Sequence, residues 1–293
     1  MHFVNLFHVP GAVCVASAGV LWGLIGLFVR ALGEAQLGAM DIVAARAIVT
    51  AGLLFVLLAL WDRKSLRVRL RDLWCFLGTG LGSIVFFNYC YFTAVQMMSL
   101  ASAAVLMYTA PAFVMVLAHF FFGEAFTRRK LASLVLTFSG CVLVTGIVGS
   151  AAPLTPAGIL FGLGSGLGYG LYTIFGKFAM ERGYGARTIT FYTFFVAAIA
   201  ASAMHGTAQI AAAAETSALP YMLGLGAFST VLPFLLYTAG LQTLSGSRAS
   251  ILASIEPVTA AVLGVAVYHE ALQPVTLAGI ALVLVGIGIG SKA

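Results

Sequence analysis

The sequence predicts an all-α membrane protein of ten transmembrane helices, arranged as two inverted five-helix repeats with both termini in the cytoplasm. Three observations predict it: apolar runs near 20 residues long, basic residues confined to alternate loops, and a self-match of the chain displaced by half its length. Of 293 residues, 61% are hydrophobic and 8% charged, whereas a soluble domain carries charge on about a quarter of its positions. An α-helix rising about 1.5 Å per residue needs runs of that length to cross a roughly 30 Å hydrocarbon layer. A β-barrel would show weak alternation over about ten residues instead. The runs predict spans near 12–32, 40–61, 73–94, 100–122, 129–149, 156–178, 187–206, 219–241, 248–268 and 274–291.

The first run has no Lys or Arg ahead of it and no small-residue cleavage site after it, so it is expected to stay as a helix, not to leave as a signal peptide. The stretch from Asp62 to Asp72 holds Arg63, Lys64, Arg67, Arg69 and Arg71. Placing it in the cytoplasm puts Arg128, Arg129 and Lys130, then Lys177, Arg182 and Arg187, then Arg248 and finally Lys292 on that side too. The opposite loops, around Gln96, Ser150, Glu215 and Glu270, carry no Lys or Arg. Only Arg30 and Arg46 fall toward the outer half. This is the positive-inside pattern of a multi-pass protein of the cell inner membrane. The net charge of +6 is therefore read as topology, with lipid and not nucleic acid as partner. Cys14, Cys75, Cys90 and Cys141 are scattered without CxxC or histidine spacing, so no disulfide framework, metal or cofactor is expected.

A displacement of 146 positions aligns Tyr91–Leu143 with Tyr237–Ile289 without a gap. It matches Gln96 with Gln242, Ser99 with Ser245, Pro111 with Pro257, Glu124 with Glu270 and Gly140 with Gly286. A displacement of 147 aligns Gly19, Gly23, Leu24, Phe28 and Arg30 with Gly166, Gly170, Leu171, Phe175 and Lys177. The units are 1–149 and 150–293. An odd number of spans per unit makes the second copy enter from the other side, and inverted repeats are the architecture of secondary transporters.

Within this frame, Pro111 and Pro257 interrupt the fourth and ninth spans, each removing a donor and freeing the carbonyl four residues earlier, at Met107 and Ala253. Those kinks either shape a cavity that offers carbonyls to substrate or are packing features. Glu256 is the acidic residue deepest in a span, so it is either a proton-linked or substrate-amine contact, or it makes a structural hydrogen bond or ion pair, with Arg46 or Arg248 as partners. Arg46 suits a carboxylate substrate, or snorkels to the outer interface. Asn88, Tyr91, Tyr108, Tyr172, Tyr237 and Trp22 are candidates to line an interior site. Tyr221 and Tyr268 read as interfacial aromatics, and His119 as a satisfied interior or interface residue. Gly162, Gly166 and Gly170 share one helix face and Gly164 and Gly168 another, which suits close helix approach or a surface for rocking. Glu124 and Glu270 read as contacts to the helix that follows each.

The motif Tyr-Thr-Ala-Pro111 through Gly-Glu124, its second copy Ile-Glu-Pro257 through His-Glu270, and the weaker Arg46 and Trp22-Gly23 signals resemble the drug/metabolite transporter superfamily, EamA-type branch, over essentially the whole chain. The aromatic side chains resemble those of its aromatic amino-acid exporters. The resemblance implies export of small metabolites, with amino acids including aromatic and hydrophobic ones as the best expectation, from a cavity between the halves and without ATP. Ala110 stands where the second copy has Glu256, so the halves are not chemically symmetric. A passive channel or facilitator and a multidrug exporter remain alternatives. An intramembrane enzyme is disfavoured: no Ser/His nucleophile motif, paired intramembrane aspartates or His/Glu metal helix is present. Gly170 through Lys177 lacks the Walker A spacing of a pump. A receptor would leave Glu256 and Asn88 unexplained inside lipid. Proton coupling, and monomer or homodimer, stay open.

Overall fold

A computed structural model describes residues 10–147, 154–271 and 273–291, so Ser150, Lys292 and the 149/150 boundary between the predicted units lie outside the described residues. These residues are helical and carry no strand. Eight helices are long and apolar enough to cross a membrane: α1 (Gly11–Glu34), α2 (Ala39–Trp61), α3 (Leu70–Met97), α4 (Leu100–Phe122), α6 (Pro156–Glu181), α7 (Ala186–Met204), α8 (Leu219–Leu241) and α9 (Gly246–Tyr268). Two shorter helices of 17 residues complete the series, α5 (Arg128–Val144) and α10 (Pro274–Gly290). The fifth apolar run thus becomes helix over fewer residues than its predicted 129–149. A seven-residue helix, Ala208–Ala214, precedes α8 and has no counterpart in the sequence reading.

The packing pairs elements across the two halves. Helix α1 lies against α8 and α9, while α6 lies against α3 and α4; α2 packs on α7, and α5 on α10. Glycines set the closest approaches. A Cβ at Gly19 would come within 2.8 Å of the Ala253 carbonyl oxygen, and one at Gly23 within 2.7 Å of that of Glu256. Their matches behave alike: Gly166 meets the Met107 carbonyl at 3.2 Å and Gly170 that of Ala110 at 3.3 Å. Only a residue without Cβ permits such contact without displacing backbone. The two glycine faces of α6 serve two neighbours, with Gly162, Gly166 and Gly170 on α4, and Gly164 and Gly168 on α3. Large apolar side chains such as Phe120, Leu160 and Phe228 are left exposed on the outside, where a lipid-facing protein needs them.

Several rods are not continuous α-helix. Helix α1 breaks at Leu24, between Gly11–Gly23 and Ile25–Glu34. Helices α3 and α8 carry π-helical segments, Gly78–Val85 and Ala227–Val231, each a local widening of the backbone. Pro111 and Pro257 do more than kink their helices. Both sit in the first turn of a new helix, Ala110–Phe122 and Glu256–Tyr268, after breaks at Tyr108–Thr109 and Ser254–Ile255. Proline is tolerated there because its missing N–H would have no helical acceptor. The Met107 and Ala253 carbonyls freed by these breaks abut Gly166 and Gly19, which places them at helix–helix contacts.

Candidate functional site

A cavity of about 570 Å³ lies between the halves. All eight candidate ligand residues border it: Trp22 from α1, Arg46 from α2, Asn88 and Tyr91 from α3, Tyr108 from the break in α4, Tyr172 from α6, Tyr237 from α8 and Glu256 from the break in α9. Its volume is in the range that holds small-molecule ligands, and its wall is mostly aromatic and aliphatic with a few polar groups, as such sites are. Ser83, in the π segment of α3, and Leu37, Ala39 and Leu100 also border it. The last three place its mouth at the end of the bundle where α1 turns into α2 and α3 into α4.

Its charges are two. The Glu256 carboxylate stands at the first turn of the broken half of α9 and accepts a hydrogen bond from Tyr169 Oη at 3.0 Å. Neither alternative ion pair forms directly. Arg248 donates instead to the Ser291 carbonyl at the far end of the bundle, and no ion pair joins Glu256 to Arg46 within 4.0 Å among the described residues. Arg46 is buried, and its Nε has no hydrogen-bond acceptor among the described residues. Its side chain borders the cavity. A buried guanidinium donor without an acceptor is costly, and here it borders the cavity.

The aromatic candidates divide by what their polar ends do. Tyr172 Oη bonds Thr238 Oγ1 at 2.6 Å, and Tyr237 Oη bonds Thr173 Oγ1 at 2.6 Å. These hydroxyls tie α6 to α8, and the two residues present rings to the cavity. Trp22 packs edge-on against Phe234, with centroids 5.1 Å apart, and tilts against Tyr237 at 5.3 Å. Asn88 returns its amide to the Ile84 carbonyl at 2.7 Å, which leaves its side-chain oxygen as the available group. Tyr169 escaped the sequence reading. It lies between Gly168 and Gly170, yet the 147-residue displacement pairs it with Trp22, a signal that was present in the sequence. Phe87, packed edge-on against Tyr169 at 5.4 Å, was missed with it.

The opposite end of the bundle is closed by Glu124. Its Oε1 accepts from Lys177 Nζ at 2.9 Å and from the Gly246 N–H at 2.6 Å; its Oε2 accepts from Ser247 N–H at 3.1 Å and Oγ at 2.6 Å, with Lys130 Nζ at 3.5 Å. Lys130 belongs to the following helix, as the sequence suggested, but the carboxylate chiefly holds the first amides of α9, 122 residues further on. Helix N-termini favour negative charge. Burial raises the Glu124 carboxyl, but the Lys177 and Ser247 hydrogen bonds and the lysine charge outweigh it and bring it down to about 2. A carboxyl depressed in the folded state stabilises the protein fully above its unfolded pKa, and that contribution is lost as pH falls through the folded one. Folded stability in detergent is therefore expected to drop by roughly 3 kcal/mol between about pH 5 and pH 2. Glu124→Gln should lower stability at pH 7 and flatten this acid limb, as read by thermal unfolding.

His119 is tied to the same turn, with Nδ1 2.9 Å from the Glu124 carbonyl oxygen and its ring against Phe126. It is exposed and distant from the cavity lining. All four cysteines are buried.

Residues 9–146 and 156–291 each match the EamA-like transporter family. An uncharacterized transporter of Archaeoglobus fulgidus is 30% identical, over 94% of this chain and 94% of its own. The uncharacterized transporter YwfM of Bacillus subtilis is 27% identical over 95% and 93%, and YojE of the same organism 28% over 89% and 86%. A crystal structure at 15% identity covers 96% of both chains with a TM-score of 0.81, a likeness of fold.

Proposed function

The chain belongs to the EamA-like transporter family, and we propose that it is a secondary carrier, an exporter of α-amino acids with apolar or aromatic side chains. It works by alternating access at the cavity between two inverted repeats. Counting α5 and α10 as spans gives ten. The repeats are 1–149 and 150–293, with both termini cytoplasmic and the chain in the cell inner membrane. Two separate family matches, the across-half packing and the matched glycine contacts support the repeats. The basic loops support the orientation.

The observation that carries the substrate class is the pair of opposite charges in one aromatic cavity, Arg46 with an unpaired donor and Glu256 held by Tyr169. An α-amino acid supplies a carboxylate for the guanidinium and an ammonium for the carboxylate. Each charge then finds a partner inside low dielectric, where an unpaired charge is most costly. The rings of Trp22, Tyr172, Phe234 and Tyr237 offer apolar surface to the substrate side chain. In this orientation the mouth at Leu37 and Leu100 faces outward, so the conformation is outward-open.

The test is uptake of labelled phenylalanine, tryptophan, threonine and methionine into liposomes holding the purified protein, with and without an imposed proton gradient. Saturable uptake with mutual competition, accelerated by unlabelled amino acid on the opposite side, supports a carrier. A passive facilitator would lack that acceleration. Uptake no greater than in empty liposomes, with folded protein, overturns the amino-acid assignment in favour of sugars, nucleosides or drugs.

A further inference from the structure

The two ends of the bundle are built from matched residues, but only one is closed. Glu124 and Glu270 follow residues of the same left-handed backbone, Gly123 at φ 66° and His269 at φ 55°. Each donates its N–H to the carbonyl six residues earlier, Ala118 at 3.2 Å and Gly264 at 3.1 Å. The cations correspond as well. Lys177 lies 4.9 Å above the Phe122 ring, and its match Arg30 lies 4.3 Å above the Tyr268 ring. Phe122 and Tyr268 are themselves matched by the 146-residue displacement. Ser245 and Ser99, also matched, cap the helices that follow them in the same way, accepting from Arg248 and Ser102 N–H.

The long-range partners differ. Glu124 holds Lys177 and the amides of Gly246 and Ser247. Glu270 is exposed and has no hydrogen-bond or ion-pair partner for its carboxylate among the described residues. Besides the Tyr268 ring, Arg30 has Glu34 as its one ion-pair partner among the described residues, at 4.0 Å and with both side chains exposed. Leu100 and Ala101, the matches of Gly246 and Ser247, begin α4 with N–H groups that find no acceptor among the described residues, and Leu100 borders the cavity mouth.

From this unequal use of equal parts, we propose that Glu270 is the latch of the outer gate: in the opposite conformation its carboxylate pairs with Arg30 and accepts the Leu100 and Ala101 amides, closing the mouth as Glu124 closes the other end. The two latches alternate. Forming one requires α4 or α9 to swing on its break at Tyr108–Thr109 or Ser254–Ile255, and the same rocking withdraws the other glutamate. The backbone around each glutamate is already set, so the exchange moves rods and leaves local structure unchanged. The inference rests on the carrier reading, but its test measures conformation separately from transport.

Pulsed electron-resonance distances between spin labels at exposed positions read the two ends: Met97→Cys with Val267→Cys for the outer end, and their repeat matches Thr243→Cys with Phe121→Cys for the inner. In lipid nanodiscs the unaltered gates should give a long outer and a short inner distance. Glu124→Gln is expected to raise the ratio of short to long outer distances about tenfold or more, and Lys177→Gln does the same should the first variant fold poorly. Adding Glu270→Gln or Arg30→Gln should remove that short outer population. Alone, Glu270→Gln should leave the distances and melting temperature unchanged while slowing turnover at least about tenfold, since closure of the mouth is the step it serves.

An outer distance unmoved by both Glu124→Gln and Lys177→Gln overturns the latch, as does a short outer population that survives Glu270→Gln undiminished. Distances that respond as expected in a protein that transports no substrate would uphold the latch and sink the carrier reading.

Discussion

Arg46→Gln is expected to raise the amino-acid concentration for half-maximal uptake about a hundredfold, with little change in melting temperature. The guanidinium borders the cavity with an Nε that no group among the described residues accepts, so on the proposed reading a substrate carboxylate would gain a charge-assisted contact there, on the order of 1.5–3 kcal/mol per hydrogen bond. Without substrate, the same residue keeps a buried Nε with no acceptor among the described residues, so folding gains little from it and its replacement removes recognition more than stability. Arg46→Lys keeps the charge and loses the planar fork, and should fall between the two. The control is the amino-acid amide, which lacks a carboxylate: wild-type protein should bind it poorly, and Arg46→Gln should no longer distinguish it from the acid. Equal loss for acid and amide would show that Arg46 supports the cavity's shape and does not read the carboxylate.

The existence of helices and their order were legible because they are written in run length, while recurring Gln, Pro, Gly and Glu carried the expectation of two repeats. The breaks were not. Nothing in the side chains of Leu24, of Gly78–Val85 or of Ala227–Val231 announces a change in hydrogen-bond register, which tertiary packing decides. Prolines mark the discontinuities of α4 and α9, but the sequence does not distinguish a kink from a fresh helix start.

The site was legible in its residue types and less so in its wiring. A Tyr, Arg or Glu inside an apolar run has few reasons to be there except an interior, and all eight chosen on that ground border one cavity. Which polar ends are occupied depends on neighbours far along the chain. Tyr172 and Tyr237 give up their hydroxyls to Thr238 and Thr173, whereas Glu256 takes Tyr169 as its donor from 87 residues away. Glu124 shows the same limit. A glutamate after a helix end reads as a local contact, and only the folded chain brings Gly246 and Ser247 to it.

Glu256→Gln is expected to cut uptake about a hundredfold, to remove its response to an imposed proton gradient, and to leave folding near normal. Glutamine preserves the shape and still accepts from Tyr169 but cannot hold an ammonium by charge, nor exchange a proton with the cavity. On the proposed carrier reading, coupling would follow from competition at one carboxylate: Glu256 would release a substrate amine when it takes a proton from outside, and after the gate reverses, proton loss to the cytoplasm would restore the anion that binds the next amine.

The groups within electrostatic reach of Glu256 are Arg46 from α2, Tyr91 from α3, Tyr108 at the break in α4, Cys141 from α5 and Tyr169 from α6. Among them Arg46 carries a permanent charge, and Glu256 is the carboxylic acid that borders the cavity. Tyr169→Phe deletes the one donor to Glu256 among the described residues and should displace the pH profile of uptake while retaining measurable transport. A profile that Tyr169→Phe leaves in place, together with Glu256→Gln uptake that still follows the gradient, would make Glu256 a structural acceptor for α6 and move the coupling elsewhere.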